Sequence, residues 1–438
     1  MLQVGFRISV LLALFGAPAL VGCKAADPPA EGPKTVRLKA APAAPDAGQD
    51  QAAGKAGKAV GRSPGGQKKS KGADPLTGGQ DLDPTQPGTS LAGIPIINVH
   101  EHIQSIDEAD RLLKAMDQTG IARTVLVGSS WFTVTLNQKD GFTRVDWNNR
   151  QILNIARRHA KRFMAWPTLD PQDPQKLEKL KEYVSLGATG LKLYLGHGLH
   201  DQRPGATGYF FHTVAMDDPG MLPVYAYLQK MGLPIMFHVN PGPKAPGFAD
   251  EFIDVMRAHP DLKVIVPHFM LSSIRSSRLR AFLDAFPTVY SDISFGHDDF
   301  LRAGLKRISR RPDKFRKLFA DYPDRFTFGT DVVVTAAPQK DAEWIAVRVR
   351  AYLDMLTKTA YTTPILPGRT LRGLALDRAA VAKVLHENFE RFIAMQPKGT
   401  ETGPIDWKQL GVPDTPRPDG QMLPRDAWDA HNKKKGRR

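Results

Sequence analysis

From Ile94 onward, short apolar runs alternate with longer stretches whose apolar positions recur at helical spacing. The runs lie at Ile94–Val99, Thr124–Val127, Phe163–Thr168, Gly190–Tyr194, Pro234–His238, Lys263–His268, Val289–Ile293 and Phe326–Thr330. Runs this short predict strands buried on both faces. Between most of them the pattern predicts helices over Asp107–Thr119, Asn148–His159, Asp173–Leu186, Met221–Met231, Phe248–His259, Ser276–Phe286 and Asp313–Asp321. Eight short strands alternating with helices, over about 300 residues, predict an α/β fold of the (β/α)8 TIM-barrel type. The rival is an open doubly wound sheet, and the lack of a glycine-rich phosphate loop after the first run counts against it. Gly232 and Pro260 punctuate two of the predicted helix ends. Long loops follow strands at Ser129–Trp147, Gly196–Gly220 and Val332–Glu343, where a barrel builds its active face. An added amphipathic helix, Ala375–Met395, comes after the barrel.

The flanks read differently. Met1–Gly22 carries Arg7 and an apolar run from Ile8 to Leu20, too short to span a membrane. Its end, Leu20-Val21-Gly22-Cys23, resembles the lipobox of a bacterial lipoprotein signal; the alternative is an ordinary secretory signal with a chance cysteine. The resemblance implies lipidation at Cys23, a membrane partner through that lipid, and a place in the cell envelope facing the periplasm or exterior. Residues 23–90 are rich in Ala, Pro, Gly and Lys and bury too little apolar surface to offset ordering, which predicts a disordered tether. The folded domain then covers 91–395, and 396–438 form a polar extension.

Composition adds three constraints. The chain has 438 residues with 42% apolar content, enough for a sizeable core. Much of its +15 net charge lies at the two ends, including Lys433–Arg438. No nucleic-acid motif accompanies that charge, so a solvated tail is the better reading. Cys23 is the sole cysteine, which leaves no intramolecular disulfide and no cysteine metal cluster.

The candidate chemistry lies at the strand ends. His100 and His102 close the first run one residue apart, and residues i and i+2 of a strand face the same side. Lys192 lies in the fourth run, His238 ends the fifth, His268 the sixth, and Asp331 follows the eighth. In a parallel barrel these ends meet around one mouth, and imidazole is the commonest protein metal ligand. Alone, each residue has a plainer reading as a hydrogen-bonded core histidine, a snorkelling lysine or a capping aspartate. Trp131, Phe132, Tyr194, His197, His200, Asp292, Ser294 and His297 are weaker pocket-lining candidates, with Trp131, Tyr194 and His197 placed at the substrate.

This constellation resembles the amidohydrolase superfamily, in its amidohydrolase-related branch. The resemblance rests on Asn98-Val-His-Glu-His102, Met116-Asp-Gln-Thr-Gly-Ile121, Gly187-Ala-Thr-Gly-Leu-Lys192 and Leu233-Pro-Ile-Met-Phe-His238. It continues through His259–His268, Asp324-Arg-Phe-Thr-Phe-Gly-Thr-Asp331 and Asn388. It implies a divalent metal, usually zinc, on His100, His102, His238 and Asp331. His268 then binds a second metal or hydrogen-bonds substrate or water, and Lys192 is the candidate for a carboxylated bridge between two metals. One ion is the favoured reading and two the alternative. Asn98 stands where the family often has Asp.

In chemical terms, an ion with an open position activates water, Asp331 takes its proton, and His268 stabilises charge on the attacked oxygen. The expected activity is hydrolysis of an amide, ester, lactone or related bond in a small molecule. A metal-dependent non-oxidative decarboxylase is the nearest alternative, and a non-catalytic binding lipoprotein the third. Oligomeric state is open.

Overall fold

The apolar runs fold into parallel strands: β1 (Ile96–Ile103), β2 (Ile121–Val127), β3 (Phe163–Trp166), β4 (Leu191–Leu193), β5 (Ile235–Phe237), β6 (Val264–Val266), β7 (Val289–Asp292), β8 (Phe326–Thr327) and β9 (Val332–Val334). The computed structural model describes residues 82–130, 133–134, 143–194, 214–238, 246–271 and 276–396. These all belong to one compact unit, Lys69–Arg438. The predicted signal segment, most of the predicted tether, Cys23, Trp131, Phe132, His197, His200 and residues 397–438 lie outside the described residues.

Two sheets close into a ring. One runs β3-β2-β1-β9 and the other β4-β5-β6-β7-β8. A bridge between Thr168 and Lys192 joins β3 to β4. On the far side the eighth strand is split: β8 pairs with β7, and β9 pairs with β1. The result is the (β/α)8 barrel. The predicted loop at Val332–Glu343 therefore begins three residues too early, because Val332–Val334 form the second half of strand eight.

Helices fill the intervals between strands, including Ala109–Thr119, Val145–Arg158, Lys176–Ser185, Leu222–Met231 and Pro246–Ala258. Gly232 ends one of them in the left-handed region, at φ 63°, a conformation free of side-chain clash only for glycine. A helix outside those predicted, Asp298–Arg310, follows β7. Its buried Leu301, Leu305 and Ile308 carry the i, i+4, i+7 signal that would have revealed it. The predicted single helix over Ala375–Met395 is three pieces: Arg378–Ala382, a π-helical turn Lys383–Glu387, and Asn388–Ala394.

That last helix closes the floor of the barrel. Phe389 and Phe392 share a buried cluster with Ile97, Val99, Val125, Val127, Trp166, Met236, Ile265 and Tyr290. Six strands contribute to this cluster, and in a closed ring they can meet only inside it. Asn388, fully buried, donates from Nδ2 to the carbonyls of Pro323 and Phe326 at 2.9 and 2.8 Å, at the start of β8. Lys263, just before β6, donates to the carbonyl of Ile393 at 2.8 Å. The opposite rim, at the strands' carboxyl ends, is left for the histidines.

β1 changes face along its length. Ile97 and Val99 pack inside the ring, whereas Ile96 and Ile103 pack outward against helices. One is even-numbered and the other odd, so strict alternation cannot hold throughout. A register shift between Asn98 and Glu101 supplies the missing step. Such a bulge re-aims the side chains beyond it. It turns His100 and His102 inward, above the apolar filling.

Candidate metal centre

His100 Nε2 lies 3.3 Å from Asp331 Oδ1, and His102 Nε2 lies 3.2 Å from the same oxygen. The three residues form a group that could hold a metal ion, their ligand atoms all within 4.8 Å of one another. Asp331 reaches this place through a left-handed backbone, φ 54°, at the break between β8 and β9. Its N–H donates to the carbonyl of His100 at 2.7 Å, which ties the break to β1. Gly296, at φ 74°, stands against the carboxylate, and a Cβ there would meet Asp331 Oδ2 at 2.5 Å. Only glycine leaves that space.

Each histidine is oriented from behind. His100 Nδ1 donates to Asp292 Oδ2 at 2.7 Å. His102 Nδ1 meets Ser129 Oγ at 2.7 Å. Ser129 is itself fixed by its N–H to Asn148 Oδ1, at 2.8 Å, while Asn148 Nδ2 donates to the carbonyls of Ile103 and Gln104. Burial pushes both imidazoles below the ordinary histidine range, so they are neutral at pH 7. With Nδ1 engaged on each ring, both Nε2 atoms are turned to one carboxylate oxygen, and this arrangement fits a cation between them. Nitrogen and carboxylate donors of this kind suit a divalent ion.

Asn98, where the resemblance leads one to expect Asp, is fully buried. Its Oδ1 accepts from the N–H groups of His100 and Thr330, both at 3.2 Å, and its Nδ2 donates to Glu101 Oε1 at 2.7 Å. Both ends of the amide are used, and an aspartate could not supply the donor. Glu101 is buried, and its carboxyl is pushed well above the usual carboxylate range by that burial.

The other predicted residues lie around the same mouth. His238 follows β5, its ring 4.8 Å from that of His268, outside the tight group of three. His268 Nε2 lies 3.6 Å from Asp331 Oδ2. Lys192 is fully buried with Nζ 3.3 Å from His100 Nε2, and burial pushes its ammonium down to about 8. Leu191 and Leu193 pack outward, so Lys192 points into the ring. Tyr194 donates from its hydroxyl to the carbonyl of Gly128 at 2.9 Å. Its ring stands between those of His102 and His238, at 6.5 and 6.3 Å, so it forms a wall of the mouth.

Asp292, Ser294 and Ser129 stand directly behind the histidines, each within hydrogen-bond distance of a ring Nδ1. Asp292 is a strand-end acid like Asp331, and the sequence marks it only as a pocket-lining candidate. Ser129 lies in Gly128-Ser-Ser130, which carries no such signal. His268, Phe269 and Met270 have φ of 61°, 52° and 53°. A left-handed turn of non-glycine residues costs about 1–2 kcal/mol per residue, and strain of this kind gathers at functional sites.

Solved structures similar to this chain include a probable 2-pyrone-4,6-dicarboxylic acid hydrolase from Acinetobacter baumannii, at 11% identity and a TM-score of 0.45, covering 68% of this chain and 99% of that one. The 5-carboxyvanillate decarboxylase from Sphingomonas paucimobilis is 14% identical, with a TM-score of 0.40 and coverage of 69% and 100%. The 2,6-dihydroxybenzoate decarboxylase from Rhizobium is 16% identical, with a TM-score of 0.40 and coverage of 68% and 98%. No curated protein matches the sequence. A family model described as amidohydrolase matches residues 92–393, from just before β1 to the helix that closes the barrel floor. The chain belongs to the amidohydrolase family.

Proposed function

We propose that the protein is a metal-dependent hydrolase that cleaves an amide, ester, lactone or related bond in a small molecule. One divalent ion, zinc on the character of the donors, would be held by His100, His102 and Asp331, with His238 completing the set from across the mouth. The observation that carries this reading is the meeting of two oriented Nε2 atoms at one Asp331 oxygen, 3.3 and 3.2 Å away. When bound, such an ion supplies Lewis acidity that activates water at neutral pH and polarises the bond under attack. Asp331 retains 14% side-chain exposure against 1% and 3% for the two histidines, so it is the member that meets solvent. Its carboxylate accepts the proton of the attacking water and returns it to the leaving group.

Hydrolysis is favoured over decarboxylation by what surrounds Asp331. Its ion-pair partners among the described residues are three histidines, which hold the carboxylate at the opening as an acceptor for a water proton. A single ion is favoured because Asp292, which with His100 and His268 forms a second group that could hold a metal, already receives four donors.

A panel of esters, lactones, amides and aromatic acids tests the reading. Chelation is expected to abolish turnover, and about one equivalent of zinc per chain to restore it, with no carbon dioxide released. Carbon dioxide release would make the enzyme a decarboxylase, and turnover that survives chelation would remove the ion from the reaction.

We also propose that Cys23 carries lipid and tethers the domain to a membrane, on the strength of a sole cysteine directly after an apolar run. No helix among the described residues is long and apolar enough to cross a membrane. Acyl chains would supply anchorage at about 0.8 kcal/mol per buried methylene. The Cys23→Ser variant is expected to move from the membrane fraction to the soluble one; unchanged fractionation would sink the assignment.

A further inference from the structure

Asp292 ends β7 wholly buried. Its Oδ2 takes His100 Nδ1 at 2.7 Å. Its Oδ1 takes the backbone N–H of His268 at 2.8 Å, the backbone N–H of Ser294 at 3.0 Å and the Ser294 hydroxyl at 2.6 Å. Two of those donors are amides, which cannot accept, so Oδ1 is an acceptor. A hydroxyl 2.6 Å from such an oxygen points its single proton at it. Ser294 Oγ then has only lone pairs to offer His268 Nδ1, 2.8 Å away. Nδ1 must therefore hold the proton, and in the neutral ring Nε2 is bare. Nε2 is the atom that faces Asp331.

We propose that Ser294, itself set by Asp292, is a positioning residue that fixes His268 as its Nδ1-protonated tautomer. His268 then meets water or substrate as a hydrogen-bond acceptor. The left-handed turn at His268 supports this, since it brings the residue's own N–H onto the same Asp292 oxygen. The consequence for catalysis rests on the hydrolase reading; the tautomer does not. A donor role for His268 at the attacked oxygen, expected from the sequence, is replaced by an acceptor role beside Asp331 Oδ2. Two acceptors facing one opening match the two protons of a water molecule and leave its lone pairs for the substrate. On attack, Asp331 takes one proton and His268 keeps its hydrogen bond to the other.

The test is long-range proton–nitrogen NMR on full-length chain labelled at histidine nitrogen, treated with chelator and held at mildly alkaline pH. The His268 signals are those lost in His268→Gln. The expected wild-type pattern is a protonated Nδ1 and a bare Nε2. Ser294→Ala is expected to lose that preference, and Ser294→Thr, which keeps the hydroxyl, to retain it. A wild-type ring protonated at Nε2 or at both nitrogens would overturn the proposal, as would a Ser294→Ala spectrum identical to wild type. The wild-type spectrum settles the tautomer even if a variant fails to fold. Failure of the hydrolase reading would show instead as no turnover across the substrate panel, with the NMR pattern intact.

Discussion

Asp331→Asn is expected to lower turnover by about 10²–10⁴-fold, the usual contribution of a positioned proton acceptor, while the barrel stays folded. The substitution is isosteric, so the change is chemical rather than steric. An amide cannot accept the proton of the attacking water. The fold has little reason to object. Asp331 sits at φ 54°, a region in which Asn is enriched among non-glycine residues. The bond that ties this segment to β1 comes from the backbone N–H, which the variant keeps. The amide also makes a poorer ligand, so the assay belongs at saturating zinc, with zinc affinity measured separately. A fall in kcat that persists at saturation assigns the proton-transfer role. Recovery of wild-type kcat would reduce Asp331 to a ligand, and full activity without added zinc would remove it from both roles.

Much of the barrel was legible because strands buried on both faces leave short, dense apolar runs. The site was legible in outline because histidines and acids stand out against such runs. What stayed hidden came from contacts between distant segments. The bulge in β1 leaves no mark on a sequence whose residues are apolar on either side of Asn98, yet it turns His100 and His102 inward. The second half of strand eight read as loop because the left-handed Asp331 interrupts the run, and its pairing with β1 exists only once the ring closes. The orienting partners were hidden for a related reason. His102 and Ser129 are 27 residues apart, and His100 and Asp292 are 192 apart, so no local pattern joins them. Asp292 was readable as a strand-end acid; its place behind His100 was not.

Asp292 gives the second large effect, and two substitutions separate its parts. Asp292→Ala strands four donors: His100 Nδ1, two backbone amides and the Ser294 hydroxyl. Each donor left buried without a partner costs about 1–3 kcal/mol, so Ala should lower the unfolding temperature clearly. Asp292→Asn keeps a carbonyl oxygen for the amides and the hydroxyl, and it should fold nearly as well as wild type. Its amide nitrogen, though, is a donor placed against His100 Nδ1. To accept that bond His100 must move its proton to Nε2, the atom aimed at Asp331. A protonated Nε2 cannot bind an ion. Removing an orienting partner of this type typically costs 10–100-fold in metal affinity, and the Asn variant should stand at or beyond the upper end of that range because it imposes the wrong tautomer. The expected ordering is therefore reversed between assays: Ala is the less stable variant, and Asn binds zinc no better than Ala. Wild-type zinc affinity in Asp292→Asn would show that His100 does not owe its tautomer to Asp292.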